Sequence, residues 1–524
     1  MRIVSCLLLA GLLGSLAACS PSAPAVTADG EQLTGRYVGD GGVAAFLGVP
    51  FAEPPVGELR WAAPQPLENR KAVRDATTFA PACMQTMRIL DWYRYMAESF
   101  GGSRDYYADL IVSEDCLYLN VWTPSPGADA SLPVMVWVHG GSNNSGWSFE
   151  PNYHGHELAT RDVVVVSVAY RLGVFGFLSH PDLPRDAPVA NFGLWDIIAA
   201  LEWIQRNIRA FGGDPDRVML FGESAGAQDI LALMPTAAAD GLFHRAALQS
   251  NAGYGLPGEM HGLGNEERRA RHLATHLGYG EDSLARLRAL PAKTLLAEYD
   301  ELFESYYHAP AVDGQLITRP TWEAIAAGDL GGRQIIIGTN LDEWLDFIAI
   351  DAGPAELEDA IDELDYIDPA AARAAIETES DSRRAMDRVI TADRMLCPSQ
   401  HTARLATANG LDAWVYFFTR VREGEAGARL GAWHGAEYSY IFGTHDAYLP
   451  MAKPDYWLTD AMQRYWVRFA ATGDPNDAGL PDWPRFAPPD YPVLELGATV
   501  TIIDAPEPAL CESFRPERSG QTPY

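Results

Sequence analysis

Positive charge is scarce in this 524-residue chain: 39 Lys and Arg stand against 70 Asp and Glu, a formal net charge of −31. A phosphate backbone would be repelled, which argues against nucleic-acid binding. The acidity reads as a soluble, self-repelling surface, with part of the excess on solvated helix faces between residues 351 and 395. Steering of cationic substrates would require those charges to gather at a site mouth. Metal-binding patterns are missing too. No C-x-x-C and no H-E-x-x-H occurs, so no metal site and no cofactor is implied. Beyond the N-terminus no apolar stretch reaches the roughly 20 residues needed to cross a bilayer. From Gly35 onward no linker separates domains and no internal repeat stands out, so residues 35–524 read as one domain. With 48% hydrophobic and 21% charged residues, wholesale disorder is excluded.

Cysteine is also sparse: Cys6, Cys19, Cys83, Cys116, Cys397 and Cys511. The first two belong to a targeting segment. Arg2 is a minimal positive region, Ile3 to Leu16 is apolar, and Leu16-Ala17-Ala18-Cys19 ends the stretch. This resembles a bacterial lipoprotein signal, with residues 1–18 removed and Cys19 lipidated. An ordinary secretory signal and a retained anchor are the alternatives. The expected location is the bacterial cell envelope, periplasmic or outer-membrane anchored, or else secreted. Residues 19–34, opening Ser20-Pro21-Ser22-Ala23-Pro24-Ala25, read as a flexible tether. The remaining four cysteines form an even set in an oxidising compartment, which points to two disulfides; three connectivities are open.

Short apolar runs alternate with helix-length periodic segments. Val134 to Val138, Val163 to Ala169, Val218 to Phe221, Ala246 to Leu248, Ile335 to Ile337 and Trp414 to Phe418 read as buried strands. Asn191 to Phe211 and Asp455 to Thr472 read as helices, and residues 354–409 as mainly helical, broken or started by Pro354, Pro369 and Pro398. The pattern predicts an α/β fold, a mostly parallel twisted sheet with helices on both faces.

One motif organises the rest. Gly222-Glu223-Ser224-Ala225-Gly226 directly follows a strand and precedes a helix-prone segment. Strand, sharp turn and helix make this a nucleophile elbow, which lifts a serine hydroxyl above the sheet edge. A serine needs a base, and the base a carboxylate, in the chain order Ser, acid, His. His401, His434 and His445 lie far enough along; His434, flanked by Trp433 and Gly435, suits a loop at the sheet edge, whereas His401 falls in a helix. Asp342 and Glu343, in the polar loop after Ile335 to Asn340, are both candidates for the acid. His139-Gly140-Gly141-Ser142 follows the strand Val134 to Val138 and offers backbone N–H groups for an oxyanion; the N–H of Ala225 offers another.

The chain resembles the type-B carboxylesterases, the cholinesterase-like branch of the α/β-hydrolase fold. The likeness covers nearly all of the mature chain. It runs from Phe46-Leu47-Gly48-Val49-Pro50-Phe51-Ala52-Glu53-Pro54-Pro55 through Ser113-Glu114-Asp115-Cys116-Leu117, Tyr170-Arg171-Leu172-Gly173-Val174-Phe175-Gly176-Phe177-Leu178 and Asn207 to Pro215, to Gly473-Asp474-Pro475-Asn476. The resemblance implies hydrolysis of small-molecule esters without a cofactor, by Ser224, Glu343 and His434. It implies an oxyanion hole at the N–H groups of Gly141, Ser142 and Ala225, and disulfides Cys83–Cys116 and Cys397–Cys511. The alternatives are a non-catalytic binding module, a lipase or an amidase on the same fold. The sequence departs from the family pattern at Ser142, where a third glycine is usual, and after Ser250, where Asn251 to Leu256 would line a different acyl pocket. Residues between Cys83 and Cys116 are expected as a surface loop over the gorge. Trp92 and Tyr106 are its candidate gorge aromatics; the aromatic patch reads first as closing the gorge, with a cation over the Tyr106 ring as the alternative.

Overall fold

The structure is a computed structural model that describes residues 22–40, 42–68, 73–251, 262–303 and 307–516. Cys19, the leader before it and residues 252–256 of the expected acyl-pocket segment lie outside these.

Eleven strands form the main sheet. In chain order they are β1 (Arg36–Val38), β2 (Val43–Pro50), β3 (Tyr118–Thr123), β4 (Leu132–Val138), β5 (Val164–Val168), β6 (Gly213–Glu223), β7 (Arg245–Gln249), β8 (Gln334–Asn340), β9 (Ala413–Phe418), β10 (Val493–Leu496) and β11 (Val500–Ile503). Across the sheet they lie in the order β11-β10-β9-β8-β7-β6-β4-β5-β3-β2-β1. Every pairing from β5 to β10 is parallel, while β1, β2, β3 and β11 attach antiparallel. The parallel strands are buried on both faces. Val134, Val136, Val138, Val218 and Leu220 belong to one core cluster; the residues between them, Met135, Trp137, Met219 and Phe221, belong to another on the opposite face.

Of the helices, α1 (Arg88–Ser99), α2 (Phe192–Asn207), α3 (Ala225–Leu233), α4 (Cys397–Ala408) and α5 (Lys453–Thr472) matter most here. Leu194, Ile197, Leu201 and Ile204 of α2 and Ile230 of α3 pack into the first cluster. Leu458, Met462, Trp466 and Phe469 of α5 pack into the second. Helices therefore cover both faces, as predicted. Among the described residues no helix is long and apolar enough to cross a membrane.

Two segments differ from expectation. The ordered domain begins before Gly35: Ala25–Ala28 pairs antiparallel with Glu31–Thr34, joined by Asp29 and Gly30 at positive φ. Val26, Ala28 and Leu33 are buried by alternation, so residues 25–34, expected as tether, belong to the folded domain. The span between Cys83 and Cys116 is not one loop, because it contains α1, which buries Leu90, Tyr93, Met96 and Ala97.

Both expected disulfides are present, Cys83–Cys116 and Cys397–Cys511, closing 33 and 114 residues. Loop-closure entropy then ranks them at about 3.7 and about 4.8 kcal/mol. Urea unfolding of the Cys83→Ser/Cys116→Ser and Cys397→Ser/Cys511→Ser pairs should show the larger loss in the second; the reverse ranking contradicts this ordering.

Candidate active site

Sheet register brings the chemistry to one edge. Val138, Gly222, Leu248 and Ile337 lie in a row across β4, β6, β7 and β8. The residues that follow them in each strand therefore leave the sheet together.

Ser224 sits between β6 and α3 with φ 55° and ψ −126°, a conformation few side-chain-bearing residues adopt. Its N–H donates to the Gln249 carbonyl at 2.9 Å and its carbonyl accepts from the Gln228 N–H at 3.1 Å. The flanking glycines are required by proximity. A Cβ on Gly222 or Gly226 would come within 2.7 or 2.1 Å of the Val138 carbonyl oxygen.

The loop after β4 takes three consecutive positive φ values, at Gly141, Ser142 and Asn143. Among the described residues no hydrogen bond engages the N–H of Gly141, Ser142 or Ala225, and Gly141 and Ser142 line the same cavity as Ser224. Asn143 braces the loop from beneath. Its amide donates to Asp229 Oδ1 on α3 at 3.0 Å, and its oxygen accepts from Tyr170 Oη at 3.2 Å. Burial pushes the Asp229 carboxyl well up. His139 is buried, stacks on Tyr170 and is lowered to about 4 by desolvation, so it is neutral.

His434 Nδ1 lies 2.5 Å from Glu343 Oε2, and the other Glu343 oxygen accepts the Asn340 N–H at 2.6 Å. Asp342, the other acid candidate, turns away. It accepts the Ala432 N–H at 2.7 Å and pairs with Arg384 at 3.2 Å, holding the segment that leads to His434. His445 is half-buried between Arg422 and Thr459 and lowered to about 3 by desolvation, and the His401 ring lies against Phe514. Only His434 of these three lines the cavity.

A second carboxylate reaches the imidazole. Glu223 Oε1 lies 3.0 Å from His434 Nε2. Burial opposes the imidazolium, but Glu223 and Glu343 together outweigh it and hold the His434 pKa well above its ordinary value. Two further carboxyls are buried nearby. Glu437 is pushed up to about 7 by desolvation and by Glu223 and Glu343, and accepts from Asn340 and Gln249. Glu150, pushed up to about 8 by desolvation, accepts from Tyr93 Oη and the Trp147 N–H. Sequence reasoning passed over all three. Glu223 was inside the elbow motif and Glu437 three residues past His434, so position along the chain was the available signal.

The cavity measures about 490 Å³. Trp92, Tyr93, Trp344, Phe347 and Tyr438 form much of its apolar wall, and Arg88 and Arg394 also line it. Trp92 is thus a gorge aromatic, fixed by its indole N–H on Asp346 at 2.9 Å. Tyr106 is not among the lining residues. Its ring packs edge-on against Tyr107 and Tyr448 and its hydroxyl accepts the Ala447 N–H, which places it outside the cavity, so the alternative of a cation held there by its ring is not met. Of the altered segment after Ser250, Asn251 lines the cavity. Among the described residues one trio has metal-compatible spacing, His276, Glu298 and Glu301 on outer helices, and none of it lines the cavity.

A model of the carboxylesterase family matches residues 22–513. The chain is 34% identical over 487 residues to the para-nitrobenzyl esterase of Bacillus subtilis (strain 168), covering 89% of this chain and 94% of that one. It is 32% identical over 502 residues to the acetylcholinesterase of Bungarus fasciatus, covering 88% and 81%. The solved carboxylesterase of Geobacillus stearothermophilus superposes with a TM-score of 0.80 at 31% identity, covering 94% of this chain and all of that one.

Glu223 should set the imidazole's titration. NMR of His434 in Glu223→Gln should show its pKa moving down toward the ordinary histidine value; an unchanged titration would mean the carboxylate does not act on the ring.

Proposed function

This chain belongs to the carboxylesterase family and is a carboxylic ester hydrolase; we propose that it works through an acyl-enzyme on Ser224. The observation that carries this is the 2.5 Å contact of His434 Nδ1 with Glu343, in a cavity wall shared with Ser224. Ser224 attacks the ester carbonyl as His434 accepts its proton, and Glu343 fixes the ring's tautomer and stabilises the imidazolium. The oxyanion is met by the N–H groups of Gly141, Ser142 and Ala225. Removing one such donor typically costs about 10²–10³-fold in rate. The alcohol leaves with the proton from His434, and water clears the acyl group by the same steps.

The two carboxylates at His434 have opposite consequences. They stabilise the imidazolium formed during attack, yet they also favour protonation of the resting base. Neutral imidazole is the reactive form, so activity rises with pH through the His434 pKa.

We also propose that Cys19 carries lipid and anchors the enzyme in the cell envelope. The two disulfides support an oxidising compartment, and the domain's first strand begins at Ala25, a short tether from Cys19.

Purified enzyme should hydrolyse short aryl esters, and Ser224→Ala should lower kcat/KM by about 10⁴-fold or more; turnover equal to wild type would reject the mechanism. In whole cells the protein should partition into detergent and Cys19→Ala should release it. Detergent partitioning that persists in Cys19→Ala would reject the anchor.

A further inference from the structure

Two arginines line the cavity together with the carboxyls Glu150, Glu223 and Glu343. In a protein of net charge −31, the two arginine side chains lining the cavity, Arg88 and Arg394, make no hydrogen bond among the described residues. Arg394 is the more telling. Its side chain is only 21% exposed, yet its closest carboxylate oxygen, on Asp365, is 3.8 Å away, too far for a hydrogen bond. Its Nε is buried without a partner. Covered guanidinium groups ordinarily have their donors satisfied, because an unmet buried donor costs the whole of its desolvation. Asp365 itself is raised to about 6 by burial and by neighbouring Asp393, and it offers Arg394 no hydrogen bond.

The position of Arg394 is built. It sits in a wide helical turn, Ala392–Leu396, between the helix Ser382–Thr391 and α4. Pro398 has no N–H to return to the Arg394 carbonyl, and such widened turns re-aim side chains. On one side of the turn the Asp393 carboxylate accepts the N–H groups of residues 365, 366 and 367. On the other, Arg394 and Met395 face the cavity. The guanidinium lies 5.5 Å from the Trp344 ring, and that ring lies 6.4 Å from the His434 ring. Arg88 is exposed at the first position of α1, where a cation opposes the helix dipole. Local helix stability therefore does not explain it.

We propose that the esters this site takes carry an anionic group, a carboxylate or another oxyanion, on the arm lying along Trp344, with Arg394 as its receptor and Arg88 at the mouth. A planar guanidinium with open N–H groups matches a carboxylate's two oxygens, and the apolar neighbours Trp344, Phe347 and Met395 strengthen that pairing by excluding water. This rests on Ser224 as the nucleophile. It is opposite in charge to the alternative of a cationic ligand at Tyr106.

The anion belongs to either the acyl or the alcohol half, and paired substrates separate the two. For the full-length enzyme, kcat/KM would be compared for the 4-nitrophenyl monoester of glutaric acid against 4-nitrophenyl valerate, and for 3-acetoxybenzoate against phenyl acetate. One acid-bearing ester should exceed its neutral partner by about tenfold or more, mainly through KM. That ratio should collapse in Arg394→Gln and recover in part in Arg394→Lys. Absence of preference in both pairs, or a ratio unchanged in Arg394→Gln, overturns the proposal. Should the variants fail to fold, wild type still decides. Free glutarate should compete with 4-nitrophenyl valerate where 1,5-pentanediol does not, and lack of competition overturns it. Failure of the mechanism would show differently, as turnover of the neutral esters that survives Ser224→Ala.

Discussion

The Val138 carbonyl holds the site together. Gly222 and Gly226 press against it so closely that no side chain fits between, and this contact sets the elbow beside the end of β4. Ser224 then has one conformation available, its N–H held by Gln249 of β7. A left-handed serine costs on the order of 1–3 kcal/mol, and the doubly buried strands on either side offset that cost. The loop that follows Val138 starts from the same contact, and Gly141 and Ser142 line one cavity with Ser224. Asn143 carries the bracing one step further by tying the loop to Asp229 on α3, the helix that supplies Ala225.

Electrostatics around the imidazole follow from this frame. Glu223 is part of the elbow and cannot leave; Glu343 ends the loop after β8; Glu437 and Glu150 are buried beside them. Desolvation raises Glu437 and Glu150, which keeps a cluster of four carboxyls from becoming four charges. Farther out the sign changes, with Arg394 and Arg88 on a wall otherwise aromatic. The site thus runs from an anion-flanked base to a cationic rim, against the strongly acidic average of the chain.

Much of this was legible in the sequence. The parallel strands announced themselves as continuous β-branched runs, because strands buried on both faces need no polar alternation. Their ends were less legible: β6 begins at Gly213, five residues before the apolar run, because Gly213 pairs with Leu132 ahead of a break in register that ends at Val218. Chain order singled out Ser224 and His434, and the structure brings both to one cavity. Asp342 and Glu343 could not be separated from the residues alone, because both are carboxylates on one loop and only side-chain direction distinguishes them. Tyr106 was misplaced because α1 lies where a loop was expected, turning Trp92 inward and leaving Tyr106 outside. Arg394 carried no signal, since its aim depends on a widened turn that helical periodicity does not reveal.

The most direct test is a crystal structure of the enzyme inactivated by a neutral aryl phosphonate. The adduct should be bonded to Ser224 Oγ, with the phosphoryl oxygen about 2.7–3.1 Å from the N–H groups of Gly141, Ser142 and Ala225, and His434 still bonded to Glu343. An adduct on another residue, or a phosphoryl oxygen turned away from those three N–H groups, would contradict it.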